Sequence, residues 1–202
     1  MVEESGLPVQ GIGAGWCGVR GISKWRFDSP YRASYTEQCM DNRIFDVFLQ
    51  ALELIFTETG IEIRSVESAD KQAFTDQVVT TIGIAGIVKG NFLLCTDYAS
   101  ANNIIRGMLR GVSIAFQTGG LGELQKTALG ELANQISGRA VTLLSDVGME
   151  CGITPPIIIT AEKLTSHVSD LAESFSRVVK GPFGVLRLFI ALSPSAGFEK
   201  TS

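Results

Sequence analysis

The chain has 202 residues, of which 45% are hydrophobic and 19% charged, with a formal net charge of -4. This composition is typical of one globular domain with a buried core and argues against a disordered chain. The net negative charge argues against a nucleic-acid-binding protein, because no basic stripe is present to neutralise phosphates. Neither a run of about eighteen apolar residues nor a signal-peptide pattern is present, so we expect no membrane segment and a cytoplasmic location.

The cysteines and the histidine limit the possible chemistry. Cys17, Cys39, Cys95 and Cys151 are scattered without a C-x-x-C pair, and His167 is the only histidine. This pattern excludes the usual zinc sites and argues against a histidine-dependent catalytic triad. We therefore expect no metal site, free thiols in a reducing compartment, and His167 in an exposed loop or at a strand edge.

The first 39 residues differ from the remainder, being rich in Gly, Ser and Arg without a helical or alternating period. Gly13, Gly15 and Gly18 spell G-x-G-x-x-G, but no apolar strand precedes them and no helical pattern follows, so we reject a phosphate-binding loop. We expect residues 1–39 to be a flexible leader or a non-native start, with the functional chain beginning at Met40. One domain should then span residues 40–202.

The remaining elements are predicted from apolar spacing, with Gly and Pro marking their ends. They are a buried helix over 44–59, a half-buried strand over 61–67, a hairpin of 78–88 and 92–95, a short helix over 98–109 after Asp97, a helix over 124–146, a strand over 153–160, and a hairpin of 174–179 and 185–192. Residues 193–202 read as a polar tail.

An internal repeat relates the two hairpins. Ile87-Val-Lys-Gly-Asn-Phe92 returns as Val178-Val-Lys-Gly-Pro-Phe183, 91 residues later. Each copy lies at a predicted hairpin turn, and each hairpin follows a long helix and a lone strand. The repeat predicts an α/β domain made of two pseudo-symmetric helix–strand–hairpin halves.

The helix over 124–146 has an apolar stripe that should face the core. Its members recur every three or four residues, and they are Leu124, Ala128, Leu132, Ile136, Ala140 and Leu143.

Two polar residues of this helix lie off the stripe. Glu131 and Asn134 are three apart and so project from one face, with Thr127 one turn before and Gly138 one turn after. The small residues Gly130, Ala133 and Gly138 would let another protein come close. Such a pair also occurs by chance on solvated helix faces, so its interpretation depends on the rest of the chain.

The sequence resembles the CheC/CheX group of chemotaxis phosphatases, and CheX more closely, over about residues 40–192. The resemblance rests on the E-x-x-N motif at Glu131 and Asn134, a proline about twenty residues further on, and the Ile82-Gly-Ile-Ala-Gly86 hairpin leading to Lys89-Gly90. CheX-type members have one E-x-x-N motif in the second long helix, as here. Two departures are Thr127, where the family often has Asp or Ser, and a one-residue shorter spacing to Pro156.

The resemblance implies an α/β (α+β) fold with two long helices packed on a mixed six-stranded sheet, and a homodimer formed through the sheets. It also implies a substrate, the phosphoaspartate of a CheY-like response regulator. Asn134 would position the attacking water and Glu131 would pair with a lysine of the regulator, while Thr127, Gly130 and Gly138 would contact that partner. No cofactor of its own is expected, and Mg²⁺ is expected on the regulator.

Two alternatives remain at this stage. A non-catalytic binder of a phosphorylated regulator would use the same helix face as a docking surface. A small-molecule enzyme would require a nucleophile–base pair or a metal cluster, and neither is evident in the sequence.

Overall fold

The computed structural model describes residues 37–68, 74–110, 120–166 and 173–193. Three helices and seven strands account for most of these residues. In chain order they are α1 (Glu37–Thr59), β1 (Ser65–Ser68), β2 (Phe74–Gly86), β3 (Gly90–Thr96), α2 (Tyr98–Met108), α3 (Glu123–Ser145), β4 (Cys151–Ile153), β5 (Ile157–Ser166), β6 (Glu173–Gly181) and β7 (Gly184–Leu192). The G-x-G-x-x-G glycines, Cys17, His167 and the polar tail beyond Ser193 lie outside the described residues.

Helix α1 buries one face against the core, whereas its opposite face, which includes Leu54 and Glu58, is exposed, so the helix is less buried than its apolar composition predicts. Phe48, Leu52 and Phe56 are each 0% exposed. The helix ends at Gly60, whose φ of 68° is a conformation that glycine adopts without steric cost. The helix spans Glu37–Thr59. The predicted boundary between the leader (1–39) and the domain (40–202) therefore falls within this helix.

The sheet has the order β1-β6-β7-β3-β2-β4, with β5 also pairing with β2, and all of its pairings are antiparallel in the part of the chain described. The two predicted halves are confirmed, but they exchange strands. β1 pairs with β6 of the second half, while β5 pairs with β2 of the first half. The two last hairpin strands, β3 and β7, meet at the centre.

Two details of the sheet differ from expectation: it has seven strands instead of six, and it is antiparallel instead of mixed. The extra strand arises because Pro155 and Pro156 divide the predicted strand over 153–160 into β4 and β5. Proline has no backbone N–H to donate to a neighbouring strand, so pairing stops at these positions.

The repeated Lys-Gly sequence occupies different registers in the two hairpins. In the second, Gly181 pairs with Gly184, so that only Pro182 and Phe183 form the turn. In the first, Ile84 pairs with Gly90 and residues 85–89 form a longer connection. At this point the end of β2 pairs with β4 instead, with Gly86 opposite Cys151.

The core lies between the sheet and the helices α1 and α3. Aromatic contacts connect α1 to the sheet, with ring centroids 5.0 Å apart for Phe48 and Phe92 and 5.6 Å apart for Phe56 and Phe183. An ion pair between Arg139 and Glu58, with Nη2 3.0 Å from Oε1, joins the exposed sides of α3 and α1. Among the described residues, no helix is both long and apolar enough to cross a bilayer.

Candidate functional site

Helix α3 provides one wall of the candidate site. Its first turn is ordered by hydrogen bonds along the helix: Thr127 Oγ1 donates to the Glu123 carbonyl at 2.9 Å, and Lys126 Nζ lies 2.8 Å from Glu123 Oε1. At the other end, the Met149 amide donates to the Leu144 carbonyl at 2.9 Å, around Gly148 with a φ of 80°. The Met149–Leu144 bond satisfies a backbone carbonyl that the C-terminus of a helix leaves unpaired.

The predicted apolar stripe of α3 is confirmed over its centre and wrong at both ends. Leu132, Ile136 and Ala140 are 0% exposed, and Ala128 is buried. Leu144 continues the buried face, whereas Leu143 is half-buried.

Leu124, the first member of the predicted stripe, is 54% exposed. Seven residues make about two helical turns, which aligns Leu124 with Glu131 and not with the buried Leu132. The residue therefore belongs to the exposed face of α3.

The two residues of the motif lie on that exposed face, as predicted, beside the fully buried Leu132 and Ala133. Glu131 Oε1 accepts a hydrogen bond from Gln135 Nε2 at 2.8 Å. The Asn134 carboxamide makes no hydrogen bond to another residue in the described ranges. Both ends of that amide are therefore available to water or to a partner.

The connection between β4 and β5 forms the second wall. An open groove of about 530 Å³ separates it from α3. The groove is lined by Thr127, Gly130, Glu131, Asn134, Ile153, Thr154, Pro155, Pro156 and Ile158. The fold thus brings the Glu–Asn pair and the prolines, more than twenty residues apart in sequence, to one site.

Thr154 attaches this second wall to β2. Its amide donates to the Gly83 carbonyl at 2.9 Å, and its Oγ1 accepts from the Gly83 amide at 2.9 Å. A Cβ on Gly83 would lie 3.1 Å from Thr154 Oγ1, so a glycine suits this close approach. The Ile82-Gly-Ile-Ala-Gly86 segment therefore supports the site, although none of its residues lines the groove.

The small residues of α3 have different surroundings. Ala133 is 0% exposed, so the expectation that it leaves room for another protein is wrong. Gly130 is buried, and a Cβ there would lie 3.3 Å from Ile158 Cδ1 and 3.4 Å from Pro156 Cγ. Its small size is explained by packing within the chain, and its predicted contact with a partner stays a prediction. Gly138 has open space beside it and lies outside the groove lining.

Sequence reasoning missed Gln135 and Thr154 as parts of the site. Gln135 could have been found, because it lies four residues after Glu131 and amide–carboxylate pairs form at this spacing. No local pattern indicates Thr154, since its partner Gly83 is 71 residues away.

The site can bind a cation through Glu131 and orient a water through Asn134. Among the described residues that line the groove, Glu131 is the only charged one. Among the described residues, no three His, Cys, Asp or Glu side chains are grouped as metal ligands. Histidine and cysteine are also absent from the groove lining, so the described chain offers no familiar nucleophile–base pair there.

Comparisons with known proteins identify the family of the chain. A family model described as "Chemotaxis phosphatase CheX" matches residues 78–178, half of the chain, including the whole groove. The CheY-P phosphatase CheX of Thermotoga maritima is 27% identical over 149 residues, which cover 72% of this chain and 90% of that protein.

Solved structures share the fold. The chemotaxis protein CheX from Vibrio vulnificus matches with a TM-score of 0.63 and 19% identity, covering 75% of this chain and 99% of that one. The CheX–CheY–BeF3–Mg²⁺ complex from Borrelia burgdorferi matches with a TM-score of 0.54 and 20% identity, covering 75% and 98%. With the family model matching half of its residues, the chain belongs to the CheX family of chemotaxis phosphatases.

Proposed function

We propose that this protein removes the phosphoryl group from the phosphoaspartate of a CheY-like response regulator. The observation that carries the proposal is the exposed Glu131–Asn134 pair at the edge of a groove, in a chain of the CheX family. The name of the Thermotoga relative, a CheY-P phosphatase, supports the same substrate.

Asn134 is proposed to position the attacking water. Phosphoryl transfer passes through a loose transition state, so holding the nucleophile in line with the scissile bond is a large part of catalysis. A carboxamide can accept from and donate to one water while remaining neutral, so it does not repel phosphoryl oxygens. Its lack of hydrogen bonds to the described residues supports this role, because no bond to them must first be broken.

Glu131 is proposed to pair with a lysine of the regulator. Gln135 bonds to Oε1, and no other described residue bonds to the carboxylate, which leaves Oε2 for a cation. An exposed pair of this kind contributes register and specificity more than affinity. Thr127 is proposed to contact the regulator from the same groove, and Gly138 to do so from one turn beyond Asn134.

Further expectations belong to this proposal. The Mg²⁺ ion is part of the regulator and hence of the substrate, and this chain is expected to supply no cofactor. A homodimer and a cytoplasmic location remain proposals that rest on family resemblance.

The test is the decay of a phosphorylated CheY-like regulator with Mg²⁺ present and this protein at catalytic amounts. We expect faster decay from the wild type and a loss of about 100-fold in kcat for Asn134→Ala, the scale of other lost transition-state contacts. Asn91→Ala is the matched control, since Asn91 is exposed on β3 and outside the groove.

Glu131→Ala should act differently, raising KM more than it lowers kcat, because its role is docking. Unchanged or slower decay with the wild type, across several regulators of the same cell, would overturn the phosphatase. That result would favour the non-catalytic binder, which protects the phosphoaspartate.

A further inference from the structure

One hydrogen bond beside the groove has no role in the chemistry proposed so far. Gln135 Nε2 donates to Glu131 Oε1 at 2.8 Å. Both side chains are exposed, but only Glu131 lines the groove. Most side-chain hydrogen bonds go to water or to the backbone, so a bond between these two side chains points to a role of Gln135 in the site.

The bond reaches Glu131 from the side that is turned away from the groove. With about 3.6 residues per turn, Gly130, Glu131 and Gln135 follow one another around α3, and Gln135 lies about 140° from Gly130. Gly130 faces the second wall, since a Cβ there would meet Pro156 and Ile158. Gln135 therefore holds one carboxylate oxygen from the far side and leaves the groove side of Glu131 open.

Gln135 holds the carboxylate without adding a counter-charge. Its amide is neutral, so a cation that arrives at Glu131 Oε2 meets no competing positive group on Oε1. Arg139, one turn after Gln135, does not supply such a group, because its Nη2 contacts both carboxylate oxygens of Glu58 on α1, at 3.0 and 3.3 Å. The cation of the next turn is thus kept on the neighbouring helix.

We infer that Gln135 is a positioning residue, whose amide restricts the Glu131 side chain to one orientation before the regulator binds. A free glutamate on a helix surface samples several rotamers, and fixing it on binding lowers affinity. A side chain that an i, i+4 hydrogen bond already holds loses less freedom at that step. The inference rests on the proposed function for the cation that Glu131 receives, and it adds a residue outside the Glu–Asn motif.

Gln135→Met removes the amide and keeps the length and the helix propensity of the side chain. We expect it to raise KM for the phosphorylated regulator about two- to threefold, the scale of an i, i+4 contact on a helix surface, with kcat unchanged. Gln50→Met is the matched control, because Gln50 lies on α1, outside the groove, and makes no side-chain hydrogen bond to the described residues. Circular dichroism and thermal melts establish that both variants are folded.

A double-mutant cycle separates positioning from a direct contact with the regulator. In a Glu131→Ala background, Gln135→Met should leave KM unchanged, because the side chain on which Gln135 acts is gone. An equal rise in KM with and without the Glu131 carboxylate would show that Gln135 contacts the regulator itself, and it would overturn the inference.

Gln135→Lys tests whether the donor must be neutral. A lysine at this position pairs with Glu131 at i, i+4 spacing and repels an incoming cation. KM should rise about fivefold at low ionic strength, more than for Gln135→Met, and the two variants should converge as salt is raised from about 0.05 M to about 0.5 M. A KM equal to that of the wild type would overturn the inference.

The orientation of Glu131 can also be measured without a partner. Three-bond NMR couplings in the free protein should show one dominant χ1 rotamer for Glu131 in the wild type and averaging among rotamers in Gln135→Met. Equal averaging in the two proteins would overturn the inference, whatever the result for turnover.

Binding of the beryllofluoride-loaded regulator, measured by isothermal titration calorimetry, separates this inference from the phosphatase. Coupling between Glu131 and Gln135 in binding, without turnover, would support the positioning role and overturn the phosphatase. Turnover by the wild type, without coupling between the two residues, would overturn the positioning role and leave the phosphatase intact. Absence of binding by the wild type would overturn the positioning role, since Glu131 would then receive no cation from the regulator.

Discussion

Gly83 and Thr154 are joined by two hydrogen bonds of 2.9 Å, one in each direction, although they are far apart in sequence. The Gly83 amide donates to the threonine hydroxyl oxygen, and the Thr154 amide donates to the glycine carbonyl. Because Thr154 precedes Pro155 and Pro156, this contact fixes the position of the second wall, the β4–β5 connection, relative to α3.

Replacing Thr154 with valine keeps the size of the side chain and removes the acceptor. We expect Thr154→Val to lower the free energy of unfolding by about 1 kcal/mol, since the Gly83 amide loses its partner at a partly solvated site. KM for the regulator should also rise, because the β4–β5 connection keeps only one of its two hydrogen bonds to Gly83. Urea denaturation and steady-state kinetics measure the two effects.

Thr154→Ser is the control for that substitution, because it retains the hydroxyl. If the serine variant behaved like the valine variant in both measurements, the hydrogen bond would not be what positions the wall.

The two glycines of α3 should respond oppositely to a larger side chain. Gly138→Ala should stabilise the protein by about 0.5–1 kcal/mol, since a Cβ there meets nothing within 4 Å and alanine is the better helix former. Gly130→Leu should destabilise it by about 1–3 kcal/mol, because Pro156 and Ile158 already contact that position. Thermal or urea unfolding of the two variants is the measurement.

Kinetics of Gly138→Ala addresses a separate question. If the partner approaches α3 closely at this glycine, the stabilised variant should have a raised KM. An unchanged KM would remove Gly138 from the predicted contacts with the regulator.

Leu124 and Leu132 test which leucines of α3 are core residues. Leu132 is 0% exposed, so Leu132→Ala should cost about 2–5 kcal/mol through lost burial and the cavity left behind. Leu124 is 54% exposed, so Leu124→Ala should change stability by less than about 1 kcal/mol. Equal losses in urea denaturation would contradict the helix orientation described here.

Asp76 should make stability depend on pH. Its carboxyl group is 2% exposed, and burial raises its pKa above the ordinary value of 3.8, more strongly than the neighbouring Arg187 lowers it. The folded state therefore takes up a proton at a higher pH than the unfolded chain does. Stability from this group is fully present below its unfolded pKa and is lost as the pH rises through its folded pKa.

The comparison that isolates this effect is wild type against Asp76→Asn, with unfolding measured at several values between pH 4 and pH 7. The stability of the wild type relative to the variant should increase as the pH falls, because asparagine does not titrate. A constant difference across the range would show that Asp76 does not carry this pH dependence.

The sequence by itself determined the features that depend on local periodicity and on chemically distinctive residues. Apolar spacing located α1 and α3, alternation and turn residues located both hairpins, and the Lys-Gly repeat revealed two halves. The position of Glu131 and Asn134 on an exposed helix face also follows from spacing alone, because side chains three residues apart share a side of any α-helix. Gly, Pro and the Glu–Asn motif were enough to suggest the family.

Only the tertiary structure decided how these elements meet. The exchange of β1 and β5 between the halves and the pairing of β2 with β4 depend on contacts between distant segments, which local periodicity does not encode. Leu124 belongs to the helical pattern, yet it is exposed because the orientation of α3 on the sheet determines which apolar residues are covered. Hydrogen bonds between Gly83 and Thr154 help to position the second wall of the groove, and a contact between residues that far apart has no signature in the sequence near either one.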